Sequence, residues 1–184
     1  MADFYPYVIA SLPMLHFGMK PPFSFERFLE VCCPLIPEKD FQLVRTLPQP
    51  EHYFEKGKRH QIIQKWIEFD VALRNELVRI RATKKHLEPA MYLRPGGSSG
   101  SSLAPAGMAA NIHTSVLDAE KRLDETRWKA LEELATGHYF DLDLLITYAY
   151  KLLILERWEN IRSADGRILL EQALEHSRGI HDST

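Results

Sequence analysis

The residues best suited to specific chemistry lie toward the end of this chain. From Tyr148 to Leu174 the sequence reads YAYKLLILERWENIRSADGRILLEQAL. An almost wholly apolar helical run acquires Glu156, Glu159, Asn160 and Arg162 within two turns, breaks at Asp165-Gly166, and restarts as an amphipathic segment. Polar groups at the end of a buried helix must find partners, so this stretch is expected to make specific contacts. Glu156 and Glu159, at i,i+3, supply half of a carboxylate-bridged di-iron pattern. The other half, Glu-x-x-His on neighbouring helices, is missing, which leaves an ion-pair network as the reading. Upstream, Arg127 falls inside the apolar stripe Val116, Ala119, Leu123, Ala130 and Leu134, with Glu120 and Asp124 flanking it. An arginine there needs an anion, so a partly buried ion pair is predicted. Trp128 lies beside the stripe and is expected to cover the core edge.

Other chemistries find less support. Eight histidines are scattered (His16, His52, His60, His86, His113, His138, His176 and His181), with no HxxxH or HExxH pattern and no cysteine at ligand spacing. No GxSxG occurs. Residues 94–113, RPGGSSGSSLAPAGMAANIH, form the one phosphate-loop look-alike. They lack the Lys-Ser/Thr such a loop needs, and their composition reads as a flexible linker. No catalytic residue, cofactor or metal site is assigned, and the chain is expected not to be an enzyme. A cleft enzyme would need convergent histidines and carboxylates, which the sequence does not offer.

The elements that position these residues are helical. Among 184 residues, 45% are hydrophobic and 26% charged, as in a soluble globular chain, and the net charge is −2. Residues 56–85 carry nine basic and three acidic side chains, whereas residues 115–184 carry nine basic and fourteen acidic. These blocks are expected to pair with each other. The basic segment matches no nucleic-acid-binding motif, and no nucleic-acid partner is expected. Cys32 and Cys33 are adjacent, point apart on a helix and favour a reducing compartment. The opening MADFYPYVIASLPML is a poor signal peptide, and the Leu142–Leu155 run is too short and too charged to span a bilayer. A cytoplasmic protein without membrane insertion is expected.

Along the chain, residues 4–12 read as a short strand or extended arm. A helix follows Ser24 from Phe25 to about Cys33, and another starts with Pro37 at its first position and runs to about Leu47. From Glu51 to about Leu87, Ile62, Trp66, Phe69, Leu73, Leu77 and Ile80 recur at helical spacing, predicting a helix of roughly 40 Å. One flank carries Ile63, Ile67, Asp70, Arg74, Leu77 and Arg81. Asp70–Arg74 reads as a surface bridge worth a few tenths of a kcal/mol. Ser115 caps a helix ending near Thr136-Gly137. The next runs from Leu142 to about Arg162, is apolar nearly all round, and so should be central. A last one covers residues 167–177. The fold class is all-α: a multi-helix bundle with a long helix, a helical region over 1–93, the 94–113 linker, a helical region over 114–178 and a frayed tail over 179–184. Arg74, Asn75, Arg81, Glu120, Asp124, Arg127, Trp128, Glu156, Glu159, Asn160 and Arg162 are the candidate interaction or structural ion-pair residues.

Four segments carry a family resemblance: FYPYVIASLPMLHFGMKPPFSFERFL, WIEFDVALRNELVRIRA, AEKRLDETRWKAL and FDLDLLITYAYKLLILERWENIRSADG. Together they resemble a family of uncharacterised bacterial proteins whose genes lie within V/A-type ATPase operons. More distantly, Tyr148 to Gly166 is similar to a helix of the V-type ATPase C/d socket protein, with Glu156, Asn160, Ile161 and Arg162 at matching positions. That component of the ATPase is an all-helical socket between central shaft and membrane rotor ring. The resemblance implies a non-enzymatic coupling component, peripheral to the inner membrane, with shaft and ring subunits as partners. This chain is about half as long as the socket protein, so one copy cannot form the full socket. The alternative is a helical adaptor or assembly factor that binds ATPase subunits transiently.

Overall fold

The structure, a computed structural model, describes residues 5–47, 49–55, 57, 59–96 and 115–163. These form an all-α bundle, and among them there is no strand. Helix α1 spans Tyr5–Ser11, α2 Phe25–Cys32, α3 Glu38–Arg45, α4 Gln61–Lys84, α5 Val116–Ala135 and α6 Leu142–Arg162. The expected last helix (167–177), the tail (179–184) and most of the 94–113 linker lie outside the described residues.

Helix α6 organises the rest. Leu145, Leu152 and Leu155 are fully buried, as are Ile146 and Ala149, because its apolar residues surround the axis. It packs against α2, α3, α4 and α5. Asp141 starts it by accepting a hydrogen bond from the Leu144 amide at 2.9 Å. The turn from α5 is short, and Gly137, at φ 88°, supplies the left-handed conformation it requires. Helix α5 therefore runs antiparallel to α6. Trp66 of α4 meets Tyr150 of α6 at 5.1 Å between ring centroids, and His60 lies near Asp143, so α4 and α6 run in the same direction. Beyond the main core, Leu73 and Leu123 form a smaller cluster with Phe69, Leu77 and Ala119 between α4 and α5.

Three local expectations are corrected. Residues 5–11 are helical, not extended: Pro6 suits a first turn, no strand among the described residues offers a pairing edge, and the helix buries Tyr5 and Val8. Pro37 sits one position earlier, as the N-cap of α3. Helix α4 has 24 residues, about 36 Å, and starts later than Glu51. Before it, Pro50–His52 forms a 3-10 turn that carries Tyr53 into the core. The Arg59 guanidinium donates to the carbonyls of His52 and Glu55 at 2.9 Å each, satisfying backbone acceptors outside the helix.

Cys32 is fully buried, and burial first, then the neighbouring Cys33, pushes its thiol up to about 12, so it packs as a small apolar group. At the end of α4, His86 adopts φ 55°, while the amides of His86 and Leu87 donate back to Thr83 and Ala82. Glycine normally fills this left-handed position. His86→Gly should therefore raise unfolding free energy by about 0.5–1 kcal/mol, measured by chemical denaturation. A loss of stability would mean the imidazole makes a contact that outweighs the backbone strain.

Candidate functional site

Asp70, on the helical face that Ile63 and Ile67 also occupy, is 1% exposed. Asp124 on α5 is equally buried, and Arg127 one turn further on lies between them. Arg127 donates through Nε to Asp70 Oδ1 at 2.7 Å and through Nη1 to Asp124 Oδ1 at 2.8 Å. Arg74 Nε donates to Asp70 Oδ2 at 2.8 Å, and Trp158 Nε1 on α6 donates to Asp124 Oδ2 at 2.8 Å. All four carboxylate oxygens are thus occupied, and three helices are joined. Arg157 extends the set, with Nη2 2.8 Å from Glu120 and Nη1 3.5 Å from Asp124.

Burial alone would raise the Asp70 carboxyl. The charges and hydrogen bonds of Arg127 and Arg74 outweigh it and hold the group below the usual carboxylate range. Burial would likewise lower Arg127, but Asp70 and Asp124 keep it firmly cationic. Asp70 is therefore a poor proton acceptor, and the network acts as an electrostatic lock. Its polarity also reverses the expected pairing of charge blocks: the acid comes from the basic segment and the arginine from the acidic one. The Asp70–Arg74 pair, expected at the surface, is instead half of a buried cluster.

The other candidates divide among separate tasks. Asn75 is buried and holds a loop: its amide donates to the Arg94 carbonyl at 2.9 Å and accepts from the Arg94 amide at 2.8 Å. Trp128 is a core residue, not only an edge cover. Its Nε1 donates to Glu132, Lys151 lies 5.2 Å from its ring centroid, and Phe17 packs edge-on. Glu156 joins no ion pair among the described residues. It accepts the Phe25 amide at 2.7 Å, at the start of α2, where Ser24 accepts from Arg27. Burial raises the Glu156 carboxyl, the Phe25 amide opposes this, and Glu26 adds to the rise. Glu159 is a surface residue 3.6 Å from Lys20 and 4.0 Å from Arg162, not part of a buried pair, and such contacts are worth little. Arg162 also donates to the Trp158 carbonyl, Asn160 is exposed, and so is Arg81.

Sequence reasoning missed two features. Trp158 and Arg157 complete the Asp124 shell, and only the folded pairing of α5 with α6 reveals them. His60, His138, Asp141 and Asp143 meet at the start of α6: His138 Nδ1 is 2.7 Å from Asp141 and 3.5 Å from Asp143. His60 Nδ1 is 3.3 Å from Asp143 but too poorly aligned for a hydrogen bond. Among the described residues, no group of three or more His, Cys, Asp or Glu side chains is arranged to hold a metal ion.

Replacing Arg127 by alanine leaves two buried carboxylates short of a partner, so a loss of about 3–5 kcal/mol is expected in denaturant titration. Because the Asp70 carboxyl is depressed by folding, its contribution is present above the ordinary carboxyl range and fades as pH falls. The stability gap between the native chain and Asp70→Asn should be full at pH 7 and close below about pH 4. A pH-independent gap would assign Asp70 a packing role only. Glu156→Ala should cost about 0.5–2 kcal/mol through loss of the α2 cap, while Glu156→Gln, which keeps an acceptor, should cost much less. Equal losses in both variants would make the carboxylate charge, and not the hydrogen bond, responsible.

Comparison with known proteins adds one similarity. Residues 106–176, less than half of the chain, match a family described as "Protein of unknown function (DUF2764)". No curated protein and no solved structure matches the chain. The matched stretch contains Asp124, Arg127 and Trp158 but not Asp70, so it is similar to that family over the α5–α6 half of the buried network.

Proposed function

We propose that this chain is a non-enzymatic structural or coupling component of a V/A-type rotary ATPase, similar to the C/d socket protein, and that it meets partner subunits with the ends of its long-helix bundle. The observation that carries the reading is the placement of large exposed apolar side chains. At the α5–α6 turn, Tyr139 is 72% exposed and Phe140 56%. At the opposite end, where α4 finishes and α5 begins, Leu87, Met91, Tyr92, Val116 and Leu117 are exposed. Single exposed apolar residues are ordinary; groups of them at two ends of a rigid element are what a linking component needs. The buried lock between α4, α5 and α6 supports the same reading, because a coupling part must hold its shape between two partners. No described helix is long and apolar enough to cross a membrane, so attachment to the inner membrane would run through other proteins of the complex.

The partners proposed, from the resemblance of Tyr148–Gly166 to the socket protein, are the central shaft and the membrane rotor ring. Affinity purification of the tagged chain from detergent-solubilised native membranes, with mass spectrometry, tests this. Stoichiometric recovery with shaft and ring subunits is expected, and reduced recovery with Tyr139→Ser/Phe140→Ser. Recovery only with unassembled subunits would replace the permanent component with a transient adaptor or assembly factor. Recovery alone, beside an intact ATPase that lacks it, would overturn both.

A further inference from the structure

We infer that the cleft between the second half of α4 and the first half of α5 binds a small phosphate-bearing anion. This cleft has a volume of about 320 Å³ and is lined by Arg74, Arg81, Arg94, Arg127, Arg157 and Glu120. Leu77, Val78 and Leu123 supply its apolar contacts. Five guanidinium groups on so small a volume repel one another unless anions intervene. The protein supplies three. Asp70 and Asp124 are used by Arg74, Arg127 and Arg157, and Glu120 is held by Arg157 at 2.8 Å. Two positive charges remain. Arg81 and Arg94 have no ion-pair partner among the described residues, and both are exposed at the cleft.

The position of Arg94 is built, not incidental. Asn75 is 4% exposed, and its two bonds to the Arg94 backbone fix that residue beside α4. Burying an amide side chain carries a desolvation cost that those bonds offset, and their product is one arginine held at the rim of the cleft. The arginines behind it are fixed too, because Arg127 and Arg157 are tied to Asp124. Guanidinium groups match the tetrahedral oxygens of phosphate in bidentate geometry, and a phosphoryl dianion carries about the charge left unbalanced here. A volume near the lower end of ligand sites, roughly 300 Å³ upward, suits a phosphate group with a compact body and not a folded segment. This site stands apart from the coupling role and does not depend on it.

Isothermal titration calorimetry on the full chain at fixed ionic strength, with pyrophosphate as probe, tests the inference. Saturable binding is expected, weakened by about tenfold in Arg81→Gln and in Arg94→Gln, whose unliganded unfolding temperatures should match the native chain. Arg45→Gln, on the exposed side of α3, should bind as the native chain does. Absence of saturable binding would overturn the proposal. So would equal binding by both cleft variants, or equal affinity for citrate, which would make the cleft a general well for anions.

Discussion

The structure depends on one constraint: two carboxylates and an arginine occupy the seam between α4 and α5 where apolar side chains would ordinarily meet. Asp70, Asp124 and Arg127 are all nearly inaccessible to water. None of the three is tolerable there alone, since a solitary buried charge costs several kcal/mol. Their geometry admits one register between the helices, because a shift by a turn would separate Arg127 from Asp70 while leaving the Leu73–Leu123 contact replaceable by other apolar pairs. The network therefore selects an alignment more than it adds cohesion, and cohesion comes from the leucines and aromatics of α6. Trp158 transmits that alignment to α6 through a single indole N–H.

Much of this is legible in the amino-acid order. The helical stripes of α4, α5 and α6 follow from period and caps, and Ser24, Ser115 and Asp141 each cap the helix that follows them. Arg127 announces a buried anion by interrupting a stripe. Asp70 is harder to read: an acid four residues before an arginine on one helix is the ordinary pattern of a solvated pair. What sets it apart is its place on the Ile63–Ile67 face, a burial signal that the charge obscures. Residues 5–11 mislead in the opposite way. Their aromatic and β-branched side chains favour strands, but strand propensity expresses a fit to neighbouring strands, and none stands beside them among the described residues. The cleft arginines are not visible as a group, because Arg94 joins them through a loop whose path is decided by Asn75.

The same polar residues thus serve distinct purposes. Glu156 and Glu159 read as a pair along the chain, yet the two face different surroundings: one caps the start of α2, the other touches solvent and Lys20. Around Asp124, rigidity and charge are one design. The ties that align the helices also orient Arg127 and Arg157 toward the cleft, so a surface assembled from three helices and a loop keeps a fixed electrostatic field.

The bond from Glu156 to the Phe25 amide spans 131 residues, and the Tyr148 hydroxyl reaches the Pro13 carbonyl across 135. The first three helices therefore rest on a helix that is synthesised long after them. During translation they leave the ribosome before that support exists, and Phe28, fully buried and stacked on Tyr148 of α6, lacks that cover until α6 emerges. Until α6 is made, the early helices lack the surface they pack on, which makes the timing of this strongly apolar helix, and any chaperone that shields the early ones, part of how this fold is reached in a cell.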